Sequence, residues 1–126
     1  MRTDIEKLVG ETLTSVEGMN DRSEMVKFTC ASGRTFEMYH YQDCCEKVQL
    51  EDVAGEVNTL IGYPVLQAYE STSNDDLGRE FYEDHTWTFY TITTVQGTVV
   101  LRWLGESNGY YSESVDFSET IDELPV

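Results

Sequence analysis

Two runs of β-branched and aromatic residues, joined by a very short connection, constrain the fold of this chain most strongly. Residues 86–95 (TWTFYTITTV) and 98–106 (TVVLRWLGE) are separated only by Gln96 and Gly97. Residues of these types favour strands, and a two-residue connection between strands makes an antiparallel hairpin. Apolar and aromatic residues occupy both faces of each run, which predicts central strands covered on part of each side.

Shorter runs elsewhere also predict strands, at residues 12–18, 23–31, 35–41, 64–70 and 110–117. In the second of these runs the residues alternate between two faces. Val26, Phe28 and Cys30 lie on one face, and Met25, Lys27 and Thr29 lie on the other. Gly33, in the connection to the third run, supplies the positive φ that a tight hairpin turn needs.

The spacing of apolar residues changes between the third and fourth of these shorter runs. The gaps of three, one, three, three and one predict an amphipathic helix that carries Leu50, Val53, Ala54, Val57, Leu60 and Ile61. Gly62 and Pro64 would end this helix, and acidic residues in its first turn suit the helix dipole.

The expected element order is therefore β-β-β-α-β-β-β-β within a single domain that spans residues 1–126. Its predicted fold class is α+β: a twisted, mainly antiparallel sheet of about six to seven strands, with one helix packed on a face. Residues 71–85 would form a long polar loop, and the acidic tail 118–126 would fray.

The net charge restricts the partners of this protein. Asp and Glu number 24 against 8 Lys and Arg, which gives a formal charge of −16. Such a chain repels nucleic-acid phosphates and anionic membranes, and it attracts basic protein surfaces. Acidity also maintains solubility. No apolar run is long enough to span a bilayer, and the charged start does not resemble a signal peptide, so we expect a cytoplasmic protein without direct contact to nucleic acid or membrane.

The stretch YHYQDCCE (39–46) is the main candidate for a chemical site. A zinc site would require His40, Cys44 and Cys45, with Cys30 or His85 as a further ligand, but no Cys-x-x-Cys pair is present. A nucleophilic thiol paired with His40 is a second possibility, although the acidic neighbours would raise a thiol pKa. The third interpretation is structural, with free thiols in a reducing compartment, because adjacent cysteines rarely bridge each other.

No other pattern predicts catalysis. The chain contains no glycine-rich phosphate loop, no HExxH and no GxSxG. Glu83, Asp84 and His85 beside Trp87 could form a sugar or hard-metal site, but an exposed acidic loop is the simpler interpretation. We therefore predict a protein that is not an enzyme and has no cofactor.

Four segments, MYHYQDCCE, LIG-PV, TWTFY and LRWLGESNGYYSESVDF, together resemble an uncharacterised family of small acidic proteins from bacteriophages and prophages. The resemblance extends from about Gly10 to Phe117. It implies no activity and no catalytic residues. It does imply a context, the cytoplasm of an infected bacterium, where such proteins often bind a host or defence protein. Some are anti-CRISPR or anti-restriction proteins that place carboxylates where DNA or RNA phosphates would lie.

Charge and resemblance together predict a non-enzymatic interaction protein, a monomer or small homo-oligomer, that occludes the basic nucleic-acid-binding surface of a host or defence protein. The acidic residues and one tyrosine expected to make the contact are Asp75, Asp76, Glu80, Glu83, Asp84, Glu106, Tyr110, Glu113 and Asp116. The alternative is a small zinc- or ligand-binding domain centred on His40, Cys44 and Cys45.

Overall fold

The structure, a computed structural model, describes residues 5–20, 22–76, 80–81 and 84–120. Its strands are β1 (Leu13–Glu17), β2 (Met25–Cys30), β3 (Thr35–Tyr39), β4 (Lys47–Ala54), β5 (Gln67–Ser73), β6 (Asp84–Thr94), β7 (Gly97–Ser107) and β8 (Asp116–Thr120). The first sheet has the order β1-β2-β3-β8 and the second sheet has the order β4-β7-β6-β5. Every strand pair within them is antiparallel.

The two sheets bury their facing sides against each other as a β-sandwich. One hydrophobic cluster contains Phe28, Phe36 and Met38 from the first sheet and Tyr90 and Trp103 from the second. The indole Nε1–H of Trp103 donates to the sulfur of Met38 across the interface, at 3.1 Å. Burying each large side chain of this kind contributes roughly 1.5–3 kcal/mol, so the shared core holds the sheets together.

The predicted β-hairpin is confirmed at the centre of the second sheet. β6 and β7 pair without interruption from Asp84 with Ser107 to Thr94 with Gly97. The predicted strands at 12–18, 23–31 and 35–41 are also confirmed, as β1, β2 and β3. Gly33 in the β2–β3 connection has a φ of +92°, as that turn was expected to require.

The predicted α+β fold with a helix over residues 50–61 is wrong, because this segment begins as strand β4. A β-bulge at Glu51 places Leu50 opposite Trp103 and Asp52 opposite Arg102. The extra residue turns the strand spacing of two into a spacing of three, which imitates a helix. Gly55 then adopts a φ of +107°. Only the short 3-10 turn Val57–Leu60 follows, and no α-helix occurs in the described residues.

Other boundaries also differ from the predictions. Instead of one sheet of six to seven strands there are two sheets of four. The strand expected at 110–117 is β8, which begins only at Asp116, and β5 extends to Ser73, into the expected loop. No helix in the described part of the chain is long and apolar enough to cross a membrane.

The start of the predicted frayed tail 118–126 is paired rather than frayed. Ser118 pairs with Glu37, and Thr120 pairs with Thr35. Arg34 also fixes this strand, because its guanidinium donates to both carboxylate oxygens of Glu119, at 3.1 and 2.9 Å. The remaining residues, 121–126, lie outside the described part of the chain.

The chain crosses between the sheets twice, and the two crossings lie beside each other. Residues 40–46 lead from β3 to β4, and residues 108–115 lead from β7 to β8. Because β3 pairs with β8 and β4 pairs with β7, both ends of the two crossings are neighbours. We call residues 40–46 the Glu46 loop and residues 108–115 the second crossing.

Candidate functional site: an acidic cleft between the sheets

A cleft of about 960 Å³ opens where the inner face of the second sheet changes from apolar to polar. On β6 the core residues Ile92 and Tyr90 are followed, at every second position, by Thr88, Thr86 and Asp84. On β5 the core residue Ala68 is followed in the same way by three polar residues, Glu70, Thr72 and Asn74. These polar residues form the floor of the cleft, and the second crossing forms a wall.

Carboxylates dominate the lining of this cleft. Five of them line it, Glu70, Asp76, Glu80, Asp84 and Glu113, and none of the described lining residues is Lys or Arg. A concave surface with charges of one sign concentrates the electric field, which raises the local concentration of cations. The arrangement therefore favours a positively charged ligand.

Glu113 is fixed against the floor of the cleft. Its carboxylate accepts hydrogen bonds from the hydroxyl of Thr86, at 2.7 Å, and from the hydroxyl of Ser107. Gly105 makes room for this close approach, because a Cβ at that position would lie 2.5 Å from the carbonyl oxygen of Glu113. Glu70 and Asp84 differ, since the side chains of both make no hydrogen bond or ion pair with the described residues.

Aromatic rings pack against each other beside the cleft, and two of the residues in this group, Phe81 and His85, line it. The ring of Phe81 stacks on His85 with centroids 3.7 Å apart and meets Trp87 edge-on. His85 Nε2–H and Trp87 Nε1–H both donate to the carbonyl oxygen of Asp75, each at 2.9 Å. His85 is therefore engaged as a hydrogen-bond donor that positions residues beside the cleft.

The Glu46 loop is organised by the carboxylate of Glu46, whose side chain is fully buried. This carboxylate accepts hydrogen bonds from the backbone N–H groups of Asp43 and Cys44, both at 2.8 Å, and lies 2.6 Å from Nε2 of His40. Burial acts to raise the pKa of Glu46, but the hydrogen bonds from His40 and the backbone outweigh it and lower that pKa to about 2. Glu46 is therefore ionised at neutral pH.

His40 connects the Glu46 loop to the cleft wall. Its Nδ1–H donates to the carbonyl oxygen of Ser114 in the second crossing, at 2.6 Å. The ring therefore bridges two acceptors, the carbonyl oxygen of Ser114 and the carboxylate of Glu46. Ser114 lines the cleft, and these hydrogen bonds of His40 therefore position one of its walls.

The prediction of free thiols is wrong for two of the three cysteines. Cys44 and Cys45 are joined to each other as a disulfide on the exposed surface of the Glu46 loop. Cys30 is free and buried, and burial together with the neighbouring Glu11 raises its pKa to about 11. In this state no cysteine is an activated thiol nucleophile.

The residues proposed for zinc are not brought together as a ligand set. Both ring nitrogens of His40 are engaged, and Cys44 and Cys45 bind each other. His85 stacks on Phe81 and donates to the carbonyl oxygen of Asp75. Among the described residues, no group of three or more His, Cys, Asp or Glu side chains could hold a metal ion.

The residues predicted to contact a partner fall into two sets. Asp76, Glu80, Asp84 and Glu113 line the cleft. The others do not line it: Asp75 contributes its carbonyl beside it, Tyr110 is 83 % exposed next to its wall, Glu106 is half-buried in β7, and Asp116 accepts a hydrogen bond from the N–H of Tyr41. Glu83 lies outside the described residues.

The sequence interpretation missed the floor residues Glu70, Thr72 and Thr88. Their signal was present in the alternation that follows Ala68 on β5 and Tyr90 on β6, where core positions become polar while the strand continues. A polar residue at an inward-facing strand position indicates either a cleft or a buried hydrogen bond.

The fold and the cleft define a small antiparallel β-sandwich with a cation-attracting site at one end of its core. The chain belongs to the DUF7448 family, described as a domain of unknown function, whose model matches residues 6–117. The chain matches no curated protein and no solved structure. Membership in an uncharacterised family is thus confirmed, and a phage origin stays a prediction.

Proposed function

We propose that this protein is a non-enzymatic binding protein that covers a basic, nucleic-acid-binding surface of another protein. The observation that carries the proposal is the cleft, which five carboxylates line with no described basic side chain among them. The whole chain adds a charge of −16. Basic surfaces that hold phosphates are complementary to such a face, whereas nucleic acid itself is repelled.

The resemblance to phage and prophage proteins supports the choice of partner. In that context the partner is a host or defence protein in the cytoplasm of an infected bacterium, and the carboxylates occupy positions that phosphates would otherwise take. Inhibition of a CRISPR or restriction complex is one form of this activity. It requires no catalysis and no cofactor from the acidic protein.

The charges outside the cleft would act mainly on the rate of association. Exposed carboxylates such as Asp75 attract a basic partner over a distance that salt shortens to about 8 Å at physiological ionic strength. Interactions in the cleft would instead act on the rate of dissociation, because a charge enclosed there loses its contact with water.

The test begins with proteins captured from a lysate of the bacterial host. A captured nucleic-acid-binding protein is purified, and displacement of its DNA or RNA by the acidic protein is measured at increasing salt. We expect displacement that weakens steeply as salt rises. Capture of nothing, in a lysate where a known binder succeeds, would contradict the proposal for that host, and so would binding that leaves the nucleic acid in place.

Matched variants locate the contact. The cleft variant carries Glu70→Gln and Asp84→Asn, and the control variant carries Glu17→Gln and Glu24→Gln, which are exposed residues of the first sheet or its connection. Both variants lose two negative charges. We expect the control to displace nucleic acid as the wild type does and the cleft variant to do so poorly. Equal displacement by both would exclude the cleft as the contact.

A further inference from the structure

We infer that the cleft binds the guanidinium group of an arginine side chain, with the hydroxyl of Thr88 as one of its acceptors. The inference rests on the proposed function, since the arginine would belong to the basic surface of the partner. It names the chemical group that the cleft recognises, which the overall charge does not do.

Thr88 provides the observation that is independent of charge. Its side chain lines the cleft although the residue is only 2 % exposed. Its hydroxyl makes no hydrogen bond within the described residues, whereas the hydroxyl of Thr86, two residues earlier, donates to Glu113. This hydroxyl opens onto the cleft and has no partner within the described residues, so it is available for a hydrogen bond with a polar ligand.

Further acceptors line the cleft together with Thr88. Thr72 pairs with Thr88 on the neighbouring strand and Glu70 lies one inward-facing position further along β5, so these three side chains share the floor. The carboxylate of Glu113 faces them from the wall, and each of its oxygens already accepts one hydroxyl and retains a second acceptor position. Acceptors on the floor and on the wall can satisfy several N–H groups at once.

Arginine fits this arrangement better than lysine. A guanidinium carries five N–H donors in a fixed plane, binds carboxylates in pairs and stacks on aromatic rings, whereas an ammonium is compact and strongly hydrated. The aromatic side chains of Phe81 and Tyr111 line the same cleft. Its volume, about 960 Å³, also leaves room for the stem and the flanking backbone of the arginine residue.

The experiment uses the full chain and a small probe, N-acetyl-arginine methylamide, at low salt. Binding is measured by calorimetry and by NMR shift changes at the cleft residues. The lysine analogue and the citrulline analogue, which keeps the shape of arginine without its charge, are measured in parallel. We expect the arginine probe to bind, the lysine analogue to bind several-fold more weakly, and the citrulline analogue not to bind.

Two variants test the named acceptors. Thr88→Val removes the hydroxyl at nearly constant volume, and we expect the dissociation constant of the arginine probe to rise about fivefold. Glu70→Gln removes one exposed carboxylate and should weaken binding at least as much, while the control Glu17→Gln should not change it. Glu70→Gln keeps the test decisive if Thr88→Val disturbs the fold.

Several results would overturn the inference: no binding of the arginine probe, equal binding of arginine and citrulline, equal binding of arginine and lysine, or affinity unchanged in both variants. These results differ from a failure of the proposed function. A protein that displaces nucleic acid from its partner yet ignores the probe retains its proposed function and loses the arginine site. A protein that binds the probe but captures no nucleic-acid-binding protein retains the arginine site and loses the proposed function.

Discussion

The Glu46 loop and the acidic cleft lie against each other, and Glu46 in the loop differs from Glu70 and Asp84 in the cleft in its hydrogen bonds. Glu46 is buried and accepts hydrogen bonds from two backbone N–H groups and from His40. In the cleft, the side chains of Glu70 and Asp84 make no hydrogen bond or ion pair with the described residues. The contact between the two regions is the hydrogen bond from His40 to Ser114.

The difference shows how to interpret a chain with so many acidic residues. A carboxylate whose acceptor positions are filled from within the protein contributes to stability, because separating it from its donors is unfavourable. A carboxylate with unfilled positions contributes little to stability and remains available to a partner. Charge alone does not separate these classes, whereas the number of hydrogen bonds does.

The largest expected effect is on stability, which should fall when Glu46 is replaced and change little when Glu70 is replaced. Glu46→Gln places an amide where two backbone N–H groups and His40 contact a buried carboxylate, and we expect the melting temperature to fall by on the order of 10 °C. Glu70→Gln should change it by no more than about 2 °C. Thermal unfolding followed by circular dichroism measures both. Equal shifts in the two variants would remove the distinction.

The pH dependence of stability sharpens the same comparison. The pKa of Glu46 is lowered to about 2 in the folded state, so its stabilising contribution is present above its ordinary value near 4.5 and is lost as the pH falls toward 2. The pKa of Glu119 is also lowered, by its hydrogen bonds with Arg34. We expect the urea midpoint of the wild type to fall between pH 5 and pH 3, and to fall less in Glu46→Gln.

An identical pH dependence in the wild type and in Glu46→Gln would show that Glu46 has an ordinary pKa in the folded protein. Glu70→Gln is the matched control, since we expect its urea midpoint to follow that of the wild type at both pH values.

A moderate effect is expected on binding kinetics when charges beside the cleft are reversed. Asp75→Lys combined with Asp76→Lys should slow association with the proposed partner about tenfold at low salt and much less at high salt, because the electrostatic attraction becomes repulsion. Stopped-flow or surface-based kinetics measure this, with circular dichroism to verify the fold. An unchanged association rate would show that this part of the cleft rim does not face the partner.

The smallest expected effect concerns the thiols. Without reductant, the folded protein should react with no thiol reagent at pH 8, because Cys44 and Cys45 are joined and the pKa of buried Cys30 is raised to about 11. Mild reduction should expose two reactive thiols, and unfolding should expose the third. Immediate reaction of untreated protein would contradict the bond between Cys44 and Cys45.

Local patterns made part of this fold predictable. The alternation in β2 and β3, the glycine in their turn and the two aromatic strands β6 and β7 all follow from interactions between neighbouring residues. β4 was not predicted because the bulge at Glu51 shifts the spacing of its apolar residues by one position, and the sequence does not mark where a bulge falls. The division into two sheets was equally inaccessible, since it depends on which distant strands pair.

The candidate site was predictable only in its charge. Four of the cleft carboxylates were among the residues expected to contact a partner, but Glu46 looked like any other of the 24 acidic residues. What distinguishes it is a set of donors that includes His40, which in turn reaches Ser114, 74 residues away in the chain. Such an interaction exists only after the sheets have packed.

The pairing of β8 with β3 has a consequence for the order in which the molecule folds. Thr35 and Thr120 are 85 residues apart, and the whole second sheet lies between them in the chain. Closing so long a loop is entropically unfavourable until the intervening residues are ordered, and distant pairings of this kind slow folding. During synthesis on the ribosome the first sheet would therefore consist of β1, β2 and β3 alone, with the edge of β3 unpaired until β8 emerges. The hairpin of β6 and β7 could form as soon as both strands have emerged.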